Sequence, residues 1–253
     1  YLGAGLWSGS ISIIVLLIWS VIFSWRYRRF FEPFLRRPTG PRVSWWGEIW
    51  QVQWRTALSY MSGYFTAQAF TPILFYFHGP IVAGQFGMTF SVISAVGTLA
   101  AMWSAPRGPQ FAMMIARKEY KAMDQLLYRI LKVALAISLL AGLCILSSIY
   151  VLNMMNHPFV VRLLPPGTVT ILLLGIIVAN AITPTSVYLR AHKREPYVVI
   201  SLVYGVLLGL FSLILGIQFS SVGIAVAYLG SNLILFPFRL WIFYHCRREW
   251  HRV

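Results

Sequence analysis

Six residues place a cationic or amide side chain inside or beside an apolar stretch: Arg55, Gln85, Arg107, Asn180, Arg190 and Arg239. Four are arginines, whose planar guanidinium grips a phosphate or pyrophosphate through paired N–H donors. The chemistry these residues offer is a path for a phosphate-bearing substrate. Each has a plainer reading as well. An arginine near the end of an apolar stretch snorkels to lipid headgroups, and Gln or Asn at that depth hydrogen-bonds a neighbouring helix. Arg239 is the most informative, because it lies within an apolar run, where arginine is costly and tends to be functional.

Covalent and acid–base chemistry find no comparable support. The sequence has no His-x-x-x-His, Cys-x-x-Cys, Gly-x-Ser-x-Gly or Gly-rich phosphate loop. His78, His157, His192, His245 and His251 fall in loops, at the ends of apolar runs or near the C-terminus. Cys144 and Cys246 are too far apart in sequence to suggest a disulfide framework or a metal quartet. The expectation is a protein that is not an enzyme and that needs no cofactor or metal.

The elements that carry these residues follow from composition. Of 253 residues 58% are hydrophobic and only 11% charged, with mean hydropathy +0.71. Soluble domains carry about a quarter charged residues, so a soluble enzyme domain, a disordered tail and a disulfide-rich secreted module are excluded. Crossing the hydrocarbon core takes about 20 apolar residues. Windows of that length fall at 6–25, 56–77, 81–103, 131–152, 168–189, 197–217 and 222–243. With Lys132 counted in the preceding loop, none contains Asp, Glu or Lys, and only the last contains Arg. Barrel strands, about 10 residues long with strict alternation, do not fit. The expected fold class is an all-α integral membrane protein of seven transmembrane helices.

Seven crossings put all but Arg162 of the 21 Lys and Arg residues on one side, together with all six acidic residues. That asymmetry follows the positive-inside rule and places the chain's N-terminus outside and its C-terminus in the cytoplasm. The net charge of +15 therefore marks a membrane face that meets anionic lipid headgroups, and nucleic acid is not an expected partner. Residues 26–55, with Pro33, Pro38 and Pro41, read as a basic cytoplasmic linker, and 245–253 as a cytoplasmic tail.

Finer patterns add to this. The stretch 111–130 reads as an amphipathic interfacial helix, with Arg117, Lys118, Lys121, Asp124 and Arg129 opposite Tyr120, Met123, Leu126, Leu127 and Ile130. A cytoplasmic extension of the next span is the alternative. Ridges of small residues allow close helix packing. They run along the third span (Gly84, Gly87, Ser91, Ala95, Thr98), the fourth (Ala134, Ser138, Ala141, Gly142, Ser148) and the sixth (Ser201, Gly205, Gly209, Ser212, Gly216). Polar positions concentrate on the second, third and fifth spans (Ser59, Ser62 and Thr66; Gln85 and Thr89; Asn180, Thr183 and Thr185). They either bond neighbouring helices or line a hydrated cavity, with Pro72 and Pro184 as expected kink sites.

One span, a long linker and six further spans resemble the second half of the multidrug/oligosaccharidyl-lipid/polysaccharide flippase superfamily, and within it the O-antigen-type flippases of polysaccharide biosynthesis. The resemblance is carried by Gly79-Pro80-Ile81-Val82-Ala83-Gly84-Gln85-Phe86-Gly87-Met88 and by Pro109-Gln110-Phe111 through Ala116-Arg117-Lys118-Glu119-Tyr120-Lys121-Ala122. It extends to Leu189-Arg190-Ala191-His192-Lys193 and Ser221-Val222-Gly223-Ile224-Ala225-Val226-Ala227. It implies residues 1–25 as the last helix of a truncated first lobe and 56–244 as a complete six-helix second lobe. The partner would be a missing N-terminal lobe, and the opening at Tyr1 without Met fits a fragment. It further implies translocation of a lipid-linked oligosaccharide, a polyprenyl-diphosphate sugar, across a bacterial inner membrane by alternating access of two lobes. A multidrug exporter of the same superfamily and a non-transporting scaffold of polysaccharide assembly are the alternatives.

Overall fold

In the computed structural model, residues 7–35 and 44–251 are described, and among them there is no strand. The chain divides into two units, Tyr1–Trp45 and Trp46–Val253.

The first unit contains α1 (Trp7–Arg26) and α2 (Arg28–Leu35). At 1.5 Å per residue, the 20 residues of α1 reach about 30 Å, the thickness of a bilayer core. Its aliphatic and aromatic side chains stand exposed, from Ile11 to Trp25. The helix α2 lies in the stretch expected to be linker. Pro38 and Pro41 of that stretch lie outside the described residues.

The second unit is built from α3 (Trp50–Ser104), α4 (Gly108–Ala116), α5 (Tyr120–Met154), α6 (Pro166–Arg190) and α7 (Val198–Trp250). A straight helix of 55 residues would be about 80 Å long, and α3 avoids this by folding back at Gly79. There φ is 86° and ψ 175°, a combination open essentially to glycine. The two arms then pack on each other, with Phe70 edge-on to Phe86 and Phe90 at ring distances of 5.9 and 5.6 Å. In α7 the same reversal falls at Ser220, with φ 56° and ψ −137°. Gly223 makes this turn tight, since a Cβ there would sit 1.9 Å from the Leu215 carbonyl oxygen. The expected kinks at Pro72 and Pro184 are not where the backbone breaks, because both lie within stretches of helical angles.

Four stretches are long and apolar enough to cross a membrane: Val52–Ala116, Tyr120–Met154, Pro166–Arg190 and Val198–Trp250. Their outward faces carry apolar side chains such as Leu140, Leu143, Tyr150, Val206 and Trp241, each more than 60% exposed. A water-soluble monomer does not display so continuous an apolar surface, whereas one bathed in lipid does. The chain is an all-α, multi-pass membrane protein.

Two packed clusters lie inside the second unit. One gathers Phe70, Phe86, Ile93, Val169 and Leu172, and the other Phe111, Met123, Leu127, Tyr188 and Phe243. Most of the ridges on α5 and on the first arm of α7 is packed: Ala134, Ser138, Gly142, Gly205, Ser212 and Gly216 are buried, while Ser148 is exposed. The ridge on the second arm of α3 departs from expectation. Gly84, Ser91, Ala95 and Thr98 are exposed, and no atom lies near a Cβ built on Gly84.

The stretch 111–130 is not one helix. Lys118, with φ 58°, closes α4 through bonds from its own N–H to the Ile115 carbonyl and from the Glu119 N–H to the Met114 carbonyl, the Schellman pattern. From Tyr120 onward the chain is the extension of α5, and Met123, Leu127 and Ile130 enter the core. From His245 the chain stays helical, α7 continuing to Trp250 and burying Cys246.

Candidate functional site

The start of α3, the turn 191–197 and the end of α7 surround a recess of about 500 Å³, lined by Arg55, Lys193, Arg194, Glu195, Pro196 and Trp250. Lys193 adopts a left-handed φ of 57° as α6 ends, and its N–H bonds the Arg190 carbonyl at 2.9 Å. Glu195, the recess's only acid, is 7% exposed and already engaged. Arg190 donates to it from Nε and from Nη2 (3.2 Å), and the Ser59 hydroxyl donates at 3.5 Å. Arg190 also donates from Nη1 to the Tyr60 hydroxyl at 2.6 Å. With Glu195 neutralised by Arg190, the cations Arg55, Lys193 and Arg194 give the recess a positive excess. Arg55 and Arg194 stand over the rings of Trp54 and Trp250 at 5.6 and 5.5 Å, which leaves their N–H groups available to an anion.

Arg239 approaches the same turn from the second arm of α7. Its guanidinium lies 4.7 Å from the centre of the Tyr204 ring, and the Tyr197 hydroxyl donates to its backbone carbonyl at 3.0 Å. Among the described residues it has no acidic partner. Arg55 and Arg190 thus stand at one turn, and the backbone of Arg239 reaches its last residue, Tyr197.

The other three predicted residues stand apart. Arg107 donates to Gln110 Oε1 at 3.0 Å and stacks over Trp103. Asn180 is 6% exposed and donates to Ser138 Oγ at 2.8 Å, joining α6 to α5. Gln85 reaches the opposite end of the bundle, where its Nε2 donates to the Val161 carbonyl at 2.7 Å. Much of the intramembrane polarity is likewise spent between helices. Ser62 donates to the Ser201 carbonyl at 2.8 Å, Thr66 to Gly205 at 3.2 Å and Asn232 to the Tyr204 hydroxyl at 3.3 Å. Other hydroxyls turn back onto their own helix, among them Ser138, Thr183 and Thr185 inside the bundle and Ser91, Ser94 and Thr98 along the second arm of α3.

A second polar cluster has no counterpart in the sequence reading. Arg247 grips Asp124 with Nε at 3.1 Å from both carboxylate oxygens and Nη2 at 2.5 Å. The Tyr188 hydroxyl donates to the same carboxylate at 2.8 Å and lies 3.3 Å from His251 Nε2. Burial pushes the pKa of both His192 and His251 down. His192 donates from Nδ1 to the Tyr188 carbonyl at 3.3 Å, and its Nε2 is buried without a partner. The cluster ties the starts of α5 and the ends of α6 and α7 together. Its one legible signal was Asp124, a rare acid in this sequence, read as part of a solvated face.

Comparison with protein-family models, with curated proteins and with solved structures finds no match for this chain. Among the described residues no group of three or more His, Cys, Asp or Glu is placed to hold a metal.

Proposed function

We propose that the chain is the second half of a flippase that moves a lipid-linked oligosaccharide, a polyprenyl-diphosphate sugar, across a bacterial inner membrane. The observation that carries this reading is the cation-rich recess of Arg55, Lys193 and Arg194, whose single acid is spent on Arg190. Such an arrangement suits a diphosphate at one membrane face.

Two further observations support it. The reversals at Gly79 and Ser220 divide α3 and α7 into two arms each, which supports reading each arm as a separate crossing. The positive-inside pattern then sets the recess in the cytoplasm, with the N-terminus of the chain outside. The hydroxyl-bearing face of the second arm of α3, unpacked within this unit, suits a water-lined path or a facing lobe, because polar groups in a membrane face one or the other.

In this mechanism no bond is made or broken. The recess holds the diphosphate by charge, a rocking of lobes exposes it to the other side, and the sugar follows. The test is surface polysaccharide in a flippase-deleted strain carrying the full-length gene. The Arg55→Ala/Arg190→Ala double variant and Arg239→Gln are each expected to lose it at equal membrane expression. Normal polysaccharide from all of them would overturn the assignment. A change in drug resistance without loss of polysaccharide would instead favour the exporter.

A further inference from the structure

At the end of the bundle opposite the recess, α5 and the second arm of α3 diverge around an apolar groove of about 290 Å³. Thr89, Ile93, Cys144, Ser148, Ile149 and Phe159 are among the residues that line it. From Cys144 to Leu152 the wall runs about 12 Å along α5. The groove is roofed by the short 3₁₀ turn Pro158–Arg162, and this roof is built in place. Gln85 Nε2 holds the Val161 carbonyl at 2.7 Å, the Leu164 N–H donates to the buried Thr89 hydroxyl at 3.0 Å, and His157 accepts from the Phe159 N–H at 3.2 Å. In a 3₁₀ turn, side chains at i and i+3 eclipse, so Arg162 rises on the same side as Phe159, which walls the groove.

Arg162 is exposed and makes no ion pair among the described residues. Its surroundings cannot supply one either. The segments gathered at this end are 78–80, 153–167 and 218–221, linked by bonds such as His78 Nε2 to the Gly216 carbonyl at 2.7 Å. They contain no Asp or Glu. A cation therefore sits at the mouth of an apolar slot on an otherwise lipid-facing surface, at an end of the molecule without acids.

We infer that this groove binds one phospholipid of the surrounding bilayer, with an acyl chain between α5 and the second arm of α3 and the anionic headgroup on Arg162. The site is distinct from the basic recess and does not depend on what the protein transports. It gives Gln85 a role: its bond to Val161 holds the roof that completes the slot.

The full chain is reconstituted with trace phosphatidylglycerol or phosphatidylcholine carrying a photoreactive diazirine in the acyl chain, and the adducts are mapped by peptide mass spectrometry. Adducts are expected to concentrate at 144–152 and 159–163. Phosphatidylglycerol should label about fivefold more than phosphatidylcholine, matching ~1 kcal/mol per cation beside an anionic headgroup. Arg162→Gln should remove that preference while leaving the adduct map in place, and Ser148→Trp, at the exposed rim, should abolish the adducts. If Ser148→Trp does not fold, Arg162→Gln and the map decide alone. Adducts spread evenly over other exposed residues, such as Leu139, Leu140, Leu143, Val203 and Val206, would overturn the inference. So would equal labelling by the two headgroups in the unaltered protein. Displacement of the label by polyisoprenyl phosphate at stoichiometric amounts, with excess phosphatidylglycerol ineffective, would also overturn it, since the occupant would then be the transported lipid.

Discussion

Removing the Asp124 carboxylate, as in Asp124→Asn, strips Arg247 of its bidentate partner and Tyr188 of its acceptor in one step. Asp124 and Arg247 side chains are 17% and 32% exposed, between the surface and the interior. A fully exposed pair is worth about 0–1 kcal/mol, whereas hydrogen bonds to charged groups contribute about 1.5–3 kcal/mol. Two-pronged geometry with limited exposure puts the Asp124–Arg247 coupling near ~2 kcal/mol, about a thirtyfold change in an equilibrium constant. Unfolding equilibria of the unaltered protein, Asp124→Asn, Arg247→Gln and the double variant in one detergent isolate that coupling from each residue's separate contribution. Tyr188→Phe should cost about 1 kcal/mol, and less in the Asp124→Asn background. Hydrogen exchange should rise at Tyr120–Leu127 and at Arg247–Trp250, where the pair ties two helix ends together. A coupling below about 0.5 kcal/mol, the scatter of independent sites, would refute the view that this pair holds the end of α7 in the fold.

Two other perturbations test the fold. Gly223→Ala pushes a methyl group to 1.9 Å from the Leu215 carbonyl oxygen, a backbone atom that cannot rotate away. It should cost more than about 3 kcal/mol and leave little monodisperse protein on size exclusion, while Gly84→Ala, with open space around it, should elute normally. The pH test turns on His192, whose pKa burial lowers from the ordinary value of 6.5. The folded form then binds fewer protons than the unfolded one, so stability is full above about pH 6.5 and declines as the pH falls through the window down to the lowered folded value. The Tyr188 carbonyl favours the charged ring, His251 and Arg194 oppose it, and the rings of Tyr188 and Trp250 pack against it. Melting temperatures between pH 8 and pH 5.5 should drop, and drop less in His192→Gln. An identical drop in both would assign the acid sensitivity elsewhere.

The architecture is legible from the residues themselves because a bilayer leaves a chain few choices. Backbone groups must bond within the segment that crosses, so apolar runs of sufficient length announce helices, and the short polar interruptions at 78–80 and 218–221 announce the reversals that Gly79 and Ser220 make. Alternating spans put Arg55, Arg107, Arg190 and Arg239 near ends on one expected side, but which of them meet is set by packing: Arg107 bonds Gln110 instead. Pattern could not tell which polar groups are spent on each other. Asn180 and Ser62 look like cavity residues in a list of spans, and only packing reveals Ser138 and the Ser201 carbonyl as their partners.

Sequence by itself determined the class of fold, the position of the helices and the crowding of cations at one end, since hydropathy and charge are local properties of a segment. Tertiary structure decided what each charge does. It spent Glu195 on Arg190 and so left Arg55, Lys193 and Arg194 in excess. It carried Arg247 across 123 positions to Asp124, and it brought the turn that bears Arg162 over a groove between the second arm of α3 and α5. An ion pair or a groove depends on the distance between atoms far apart in sequence, and that distance exists only after the helices have packed.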